Sequence, residues 1–154
     1  MRPGARLGID VGSVRIGVAV CDPAGVIATP VETVPRGARD VARLSELAQL
    51  YAAVELVVGL PVSLSGEHGR AAGTAKEFAV RLARTIPLPV RMVDERLSTV
   101  GATQALRESG VPGRRQRAVI DQAAAVIILQ NALDAERSTG VPPGVWIPAD
   151  EADA

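Results

Sequence analysis

The stretch RLGIDVGSVRIGVAV, residues 6–20, decides the fold of this 154-residue chain. Two runs rich in Val and Ile are interrupted by Gly12 and Ser13, which predicts strands over 6–11 and 15–21 joined by a tight turn. A single acid, Asp10, stands inside the otherwise apolar first run. An acid at the end of a buried strand has either a role in the turn or a chemical role.

The pattern downstream of this hairpin predicts a mixed sheet with helices on its faces, because strands and helices alternate after a three-strand start. The predicted strands continue with 25–34, 54–61 and 87–95. The predicted helices are 38–53, 71–85, 97–110 and 118–136, with a basic loop at 111–117. Residues 138–154 are proline-rich and acidic, and we expect an extended or disordered tail after a domain of residues 1–137.

Composition excludes several classes of protein. Hydrophobic residues make up 47% and charged residues 22%, which is typical of a soluble domain. No apolar run reaches the roughly 18 residues of a membrane span. A single cysteine, Cys21, and a single histidine, His68, are too few for a structural zinc site or an internal disulfide. A cytoplasmic location is expected, because the N-terminus has no signal-peptide layout.

Charge is balanced overall but unevenly distributed. Arg and Lys total 17, as do Asp and Glu, yet residues 1–133 carry a net charge of +4 and the remainder carries −4. Every basic residue except Lys76 is arginine. Arginine suits the recognition of phosphate through its planar fork, although a bias toward arginine codons explains the excess equally well.

Three acids occupy positions at which a catalytic site is expected. Asp10 ends the first strand, Glu95 follows the strand VRMV, and Asp121 begins the last helix. If these strands lie side by side, the three carboxylates converge at one edge of the sheet. Clustered carboxylates repel one another, and oxygen ligands without nearby His or Cys favour Mg²⁺ or Mn²⁺ as the neutralising cation.

Each acid also has a simpler interpretation. Asp10 can be a turn residue before Gly12, Glu95 can belong to an exposed charge cluster with Asp94 and Arg96, and Asp121 can face solvent on its helix. The combination favours metal-dependent hydrolysis of a phosphodiester, in which two ions roughly 4 Å apart activate a water and stabilise the leaving oxygen. That chemistry needs no nucleophilic side chain and is expected to leave a 5′-phosphate and a 3′-hydroxyl.

Four segments together resemble a known family: GIDVGSVRIGVAVCDP (8–23), VVGLP (57–61), DERLST (94–99) and VIDQAAAVIILQ (119–130). They are similar to the YqgF or RuvX family of ribonuclease H-like nucleases, which is related to the resolvase RuvC. The resemblance spans residues 6–135 and implies an RNase H-like α/β fold with a five-stranded mixed sheet. It also implies a metal-dependent nuclease that matures the 5′ end of pre-16S rRNA or resolves Holliday junctions.

The resemblance further implies roles for individual residues. It makes Asp10, Glu95 and Asp121 the catalytic residues and the ligands of Mg²⁺ or Mn²⁺, with Asp94 as the second choice for the middle ligand. Contacts with substrate phosphates are expected from the first turn and from basic residues, namely Gly12, Ser13, Arg15, Arg96, Arg114, Arg115 and Arg117. The implied partner is RNA or branched DNA.

Two other functions compete with this interpretation. An ATP-using phosphotransferase of the actin and sugar-kinase type also opens with a strand, an acid and a hairpin, but it needs two domains around the nucleotide. A non-catalytic RNA-binding assembly factor would use only the basic residues. With Tyr51, Phe78 and Trp146 as its only aromatics, the chain offers few stacking platforms, which predicts strong salt dependence. The sequence does not decide whether the substrate is RNA or DNA. It also does not decide whether the protein is a monomer or a dimer.

Overall fold

The computed structural model describes residues 1–61, 68–95 and 114–148, with side chains of the last range from residue 119 onward. Within these ranges, six strands and three helices alternate along the chain. The strands are β1 (Ala5–Val11), β2 (Arg15–Cys21), β3 (Ala28–Pro35), β4 (Ala53–Leu60), β5 (Val90–Asp94) and β6 (Val145–Ile147). The helices are α1 (Asp40–Leu50), α2 (Arg70–Thr85) and α3 (Arg114–Thr139).

The strands form one mixed sheet in the order β3-β2-β1-β4-β5-β6. β1, β2 and β3 make an antiparallel meander, β4 and β5 run parallel to β1, and β6 returns antiparallel to β5. The expected mixed α/β architecture is confirmed. The expected number of five strands is wrong, because the segment after α3 adds a sixth strand. None of the helices described is long and apolar enough to cross a membrane.

Three details near the C-terminus differ from the sequence prediction. Residues 114–117, expected in a basic loop, are helical, so Asp121 lies two turns into the described part of α3 rather than at its start. That helix continues to Thr139, and β6 pairs with β5 from Val90–Ile147 to Met92–Val145. The predicted helix 97–110 lies outside the described residues.

Two hydrophobic layers flank the sheet. Leu7 and Ile9 of β1 pack with Leu44 of α1 and Phe78 of α2 on one face. Because side chains alternate along a strand, Gly8 and Asp10 face the other layer. That layer is covered by α3, where Leu129 is fully buried. The opposite face of β1 therefore carries Asp10 beneath α3.

A buried charge cluster ties the N-terminus to this helix, at the end of the sheet away from Asp10. Arg2 donates hydrogen bonds to Glu55 at 3.0 Å and to Glu136 at 2.7 Å, and Arg6 lies 3.5 Å from Glu136. The hydrogen bonds from Arg2 lower the pKa of Glu136 from 4.5 to about 2, although burial of the carboxylate opposes the shift. Both glutamates are buried, so the cluster fastens α3 to the starts of β1 and β4.

Candidate active site

Asp10 lies between two glycines in neighbouring strands. It is the direct antiparallel partner of Gly17 in β2. On its other side, the parallel register of β1 and β4 pairs Ile9 with Val58, so the next residue of β4 beside Asp10 is Gly59. Neighbouring strands are about 4.8 Å apart, so Gly17, Asp10 and Gly59 form a row about 10 Å across. We call these three residues the glycine row.

Gly17 allows the backbone of α3 to approach the sheet beside Asp10. A Cβ atom at this position would collide with the backbone carbonyl oxygen of Asp121. A glycine inside a strand commonly marks such a close approach of another backbone. Asp121 is therefore seated on β2, immediately next to the strand that carries Asp10.

Gly59 performs the corresponding function on the other side of Asp10. A Cβ atom there would stand 2.6 Å from the Glu95 Oε1 atom and 2.6 Å from the Ile128 Cδ1 atom. The strand of Asp10 and the strand before Glu95 are expected from the sequence to lie side by side. They do not, because β4 lies between β1 and β5. The missing side chain of Gly59 gives the Glu95 carboxylate its place above β4, toward Asp10.

Arg15 binds Asp121, the third of the predicted catalytic acids. Its Nε atom donates a hydrogen bond to Asp121 Oδ2 at 2.7 Å, and the two side chains are 28% and 20% exposed. A short, partly buried pair of this kind is a strong charge-assisted hydrogen bond. Arg15 was predicted from the resemblance to contact phosphate. In this structure its partner is the carboxylate of Asp121.

The turn that connects Asp10 to Arg15 is braced by Arg36, a residue that the sequence analysis did not single out. Gly12 N–H donates to the Arg15 carbonyl at 2.8 Å, and Arg36 Nη1 donates to the Gly12 carbonyl at 2.9 Å. The backbone N–H of Arg36 donates to the Val14 carbonyl, also at 2.9 Å. The Arg36 guanidinium also lies 5.1 Å from the centre of the Phe78 ring. The turn is thus fixed to the core below it.

Asp40 anchors Arg36 in turn. Its carboxylate is buried and lies 3.3 Å from Arg36 Nε and 3.3 Å from Arg81 Nη2. Burial alone would raise the pKa of Asp40. Hydrogen bonds from the backbone N–H groups of Gly37 and Val41, together with the charges of Arg81 and Arg36, lower it below its ordinary value.

The donor chemistry of the three acids fits a hard divalent cation, because every candidate ligand is a carboxylate oxygen. Within residues 1–61, 68–95 and 114–148, however, no three His, Cys, Asp or Glu side chains are grouped closely enough to hold a metal ion. Asp121 is turned toward Arg15. To ligate an ion together with Asp10, its carboxylate would have to exchange the guanidinium for that ion.

The remaining predicted residues are placed as follows. Gly12 and the exposed Ser13 form the turn, and Asp94 ends β5 as the partner of Leu60. Arg96 lies outside the described residues. Arg114, Arg115 and Arg117 belong to the first described turns of α3. The exposed His68 has its Nδ1 atom 2.6 Å from Lys76 Nζ.

Sequence comparison places this architecture among known proteins. The sequence model of the family RuvX, described as "Holliday junction resolvase", matches residues 4–135. A protein of Rhodococcus opacus named "Putative pre-16S rRNA nuclease" is 60% identical over 92% of this chain and 83% of its own length. Proteins of the same name in Clavibacter michiganensis and Streptomyces coelicolor are 55% and 58% identical over 99% and 94% of this chain, and 97% and 88% of their own lengths.

Structural comparison finds the same fold at low sequence identity. RuvC of Thermus thermophilus in complex with a Holliday junction substrate superposes with a TM-score of 0.58 at 17% identity, covering 92% of this chain and 99% of RuvC. A second Thermus thermophilus RuvC structure gives a TM-score of 0.54 with the same coverage. These similarities confirm an RNase H-like fold.

Proposed function

This chain belongs to the RuvX family, and we propose that it is a divalent-metal-dependent nuclease that hydrolyses phosphodiester bonds in structured nucleic acid. The proposed substrate is the 5′ end of pre-16S rRNA, because the named relatives at 55–60% identity are called nucleases of that RNA. Such a substrate would place the protein in the cytoplasm. The observation that carries the proposal is the glycine row, which seats Glu95 and Asp121 on either side of Asp10.

The proposed roles follow from this placement. Asp10, Glu95 and Asp121 would hold one or two Mg²⁺ or Mn²⁺ ions. Such ions, when bound, supply the charge that activates water and stabilises the leaving oxygen. Arg15, once separated from Asp121, would carry its guanidinium to a phosphate oxygen, where two parallel hydrogen bonds are possible. Ser13, exposed in the turn beside it, would add a hydroxyl donor.

Resolution of Holliday junctions is the second candidate function. It is favoured by the description of the matched family and by the similarity of the fold to RuvC. Symmetric cleavage of a junction requires two active sites and therefore two copies of this chain. Trimming of an rRNA precursor requires only one. The two functions therefore differ in the oligomeric state that they demand.

The decisive experiment is a matrix of metal and substrate. Purified protein is incubated with Mg²⁺, Mn²⁺ or chelator and with a pre-16S rRNA 5′ fragment, unstructured single-stranded RNA or a four-way DNA junction. We expect metal-dependent cleavage of the rRNA fragment and its loss in Asp10→Asn. The matched control is Asp134→Asn, which alters an exposed carboxylate on α3.

Thermal unfolding completes the test. If Asp10, Glu95 and Asp121 repel one another as a shared metal site requires, Asp10→Asn should unfold at the same or a higher temperature. Unchanged turnover in Asp10→Asn, or equal cleavage in chelator, would contradict the proposal. Metal-independent RNA binding with full affinity in Asp10→Asn and no cleavage by the native protein would identify a non-catalytic assembly factor instead.

A further inference from the structure

A cleft of about 180 Å³ opens beside Glu95, between the end of β5 and α3. Its walls are mainly apolar, and Glu95 and Asp94 stand at one end. The remaining lining residues are Val93, Ile128, Asn131, Ala132, Ala135 and Pro143. Since Glu95 belongs both to the cleft and to the proposed catalytic site, a group bound in the cleft would lie next to the cleaved phosphate.

The cleft is closed on one side by the loop between α3 and β6. Gly144 has a φ of +82°, and a Cβ atom there would collide with the carbonyl oxygen of Met92. This glycine therefore brings the loop into contact with β5, and the pairing of β6 holds it there. Pro143 is thereby fixed as part of the wall, which also includes the small side chains of Ala132 and Ala135.

The size and walls of the cleft suit one planar ring. Its volume corresponds to about six water molecules. Val93, Ile128, Pro143 and the alanines of α3 give it mainly aliphatic walls, and enzymes that act on extruded bases hold the base between apolar side chains. The chain has only one Trp, one Tyr and one Phe, and Phe78 is buried under two arginines. Aliphatic walls would then replace an aromatic stacking platform.

Asn131 supplies a polar group for the edge of such a ring. Asn131 lines the cleft, and its amide has no hydrogen-bond partner among the described residues. An amide offers a donor and an acceptor side by side, which matches the edge of a nucleobase and pairs especially well with adenine. An amide in an apolar cleft gains most from a ligand that provides both partners.

We propose that this cleft binds one unpaired nucleobase adjacent to the cleaved phosphodiester, with Asn131 contacting the base edge. The inference rests on the proposed nuclease function and adds a substrate subsite to it. Single-stranded segments of RNA present such splayed bases, whereas a continuous duplex does not. The cleft would thus make cleavage depend on an unpaired nucleotide at a fixed distance from the cut.

The test combines a filled cleft with substrates that lack one base. Ala135→Leu places a larger side chain in the cleft at a helical position that tolerates leucine. Ala71→Leu makes the same change at an exposed position of α2 and serves as the control. The substrates are single-stranded RNA and DNA versions of the cleaved sequence, each with an abasic nucleotide at one position.

For the native protein and Ala71→Leu, we expect kcat/KM to fall about tenfold when the abasic nucleotide occupies one particular position next to the cut. Ala135→Leu should show a similar loss with the complete substrate and no further loss with the abasic one. Asn131→Leu should reduce the preference among the four bases at that position. It also provides a second readout if Ala135→Leu does not fold.

The outcomes separate this inference from the proposed function. If the native protein cleaves every abasic substrate as fast as the complete one, the base subsite is wrong and the nuclease function stands. If the native protein cleaves nothing, the nuclease function fails, and fluorescence of 2-aminopurine substituted along the strand decides the subsite. A change of fluorescence at one position that is lost in Ala135→Leu supports it, and no change at any position overturns it.

Discussion

Arg15 and Asp121 are 106 residues apart in sequence, yet Arg15 Nε and Asp121 Oδ2 lie 2.7 Å apart. The pair joins the first residue of β2 to α3 directly above the glycine row. It gives Asp121 a positive partner from within the chain. A divalent cation that used the same carboxylate would have to displace this guanidinium, so Arg15 would compete with the metal for Asp121.

This competition predicts that Arg15→Gln binds divalent ions more tightly than the native protein. Removing a partly exposed ion pair of about 1 kcal/mol should tighten the binding of Mn²⁺ about fivefold. Cleavage should nevertheless fall, because the proposed phosphate contact is lost. Isothermal titration with MnCl₂ measures the affinity, with Arg43→Gln as a control on the opposite side of the sheet. Weaker binding of Mn²⁺ in Arg15→Gln would contradict the prediction.

Gly59→Ala should impair cleavage with little loss of stability. The added Cβ atom meets the Glu95 Oε1 and Ile128 Cδ1 atoms, both at 2.6 Å. These atoms are the ends of flexible side chains, which can move. The Glu95 carboxylate then leaves its position, and we expect at least a tenfold loss of kcat. The free energy of unfolding, measured with urea, should change by about 1 kcal/mol or less.

Gly17→Ala should have the opposite balance of effects. Its Cβ atom would collide with the backbone of Asp121, which cannot move without displacing α3. We expect a loss of about 3 kcal/mol or more in the free energy of unfolding, at the upper end of what overpacking costs, because the backbone at this site is rigid. Urea denaturation of both glycine variants compares them directly. Equal stability of the two variants would show that α3 is not seated on Gly17.

Arg36→Met should destabilise the protein through the turn and Asp40. The substitution removes the donor to the Gly12 carbonyl and one of the two cations beside the buried Asp40 carboxylate. Loss of hydrogen bonds to charged groups predicts a cost of about 2–3 kcal/mol. Arg43→Met is the matched control, because its pairs with Glu32 and Glu46 are partly exposed and should cost less than about 1 kcal/mol. Similar losses in the two variants would contradict the role assigned to Arg36.

The buried charge cluster predicts a specific dependence of stability on pH. The pKa of Glu136 is about 2 in the folded protein, against an ordinary value of 4.5 for a glutamate in the unfolded chain. The unfolded chain therefore binds more protons in acid. The stabilisation is therefore complete above pH 4.5 and is lost as pH falls toward 2. Glu136→Gln should be about 2 kcal/mol less stable than the native protein at pH 7. That difference, measured by urea denaturation, should shrink steadily below pH 4.5, and a constant difference would contradict the prediction.

Local patterns predicted most of the fold. The Val- and Ile-rich runs around Gly12 and Ser13 predict the first hairpin, and apolar residues at helical spacing, such as Val41 and Leu44, predict α1. β6 left no comparable signal, because three residues between prolines show no periodicity. Residues 114–117 belong to the basic segment VPGRRQR, which the sequence analysis predicts to be a loop and which is helical from residue 114.

The site was less accessible from the sequence than the fold. Asp10, Glu95 and Asp121 were selected as candidates, but their arrangement depends on the order of strands and on which side chains are absent. That β4 separates β1 from β5 is a property of the crossovers, which the sequence does not reveal. A glycine within each of the apolar runs RIGVAVC and VVGLP was the available sign of a close approach. Nothing in the sequence pairs Arg15 with Asp121.

The two outer strands, β3 and β6, disfavour one kind of contact between copies of this protein, the pairing of strands edge to edge. β6 is three residues long and lies between Pro143 and Pro148, and β3 at the other border contains Pro30 beside a bulge in its pairing with β2. Prolines and short strands deprive an incoming chain of the backbone partners that it needs to extend a sheet. Cross-molecular strand addition, the usual first step toward fibrous self-association, is thereby discouraged at both borders. A two-fold assembly able to cut both arms of a junction would therefore be expected to use surfaces other than the edges of β3 and β6.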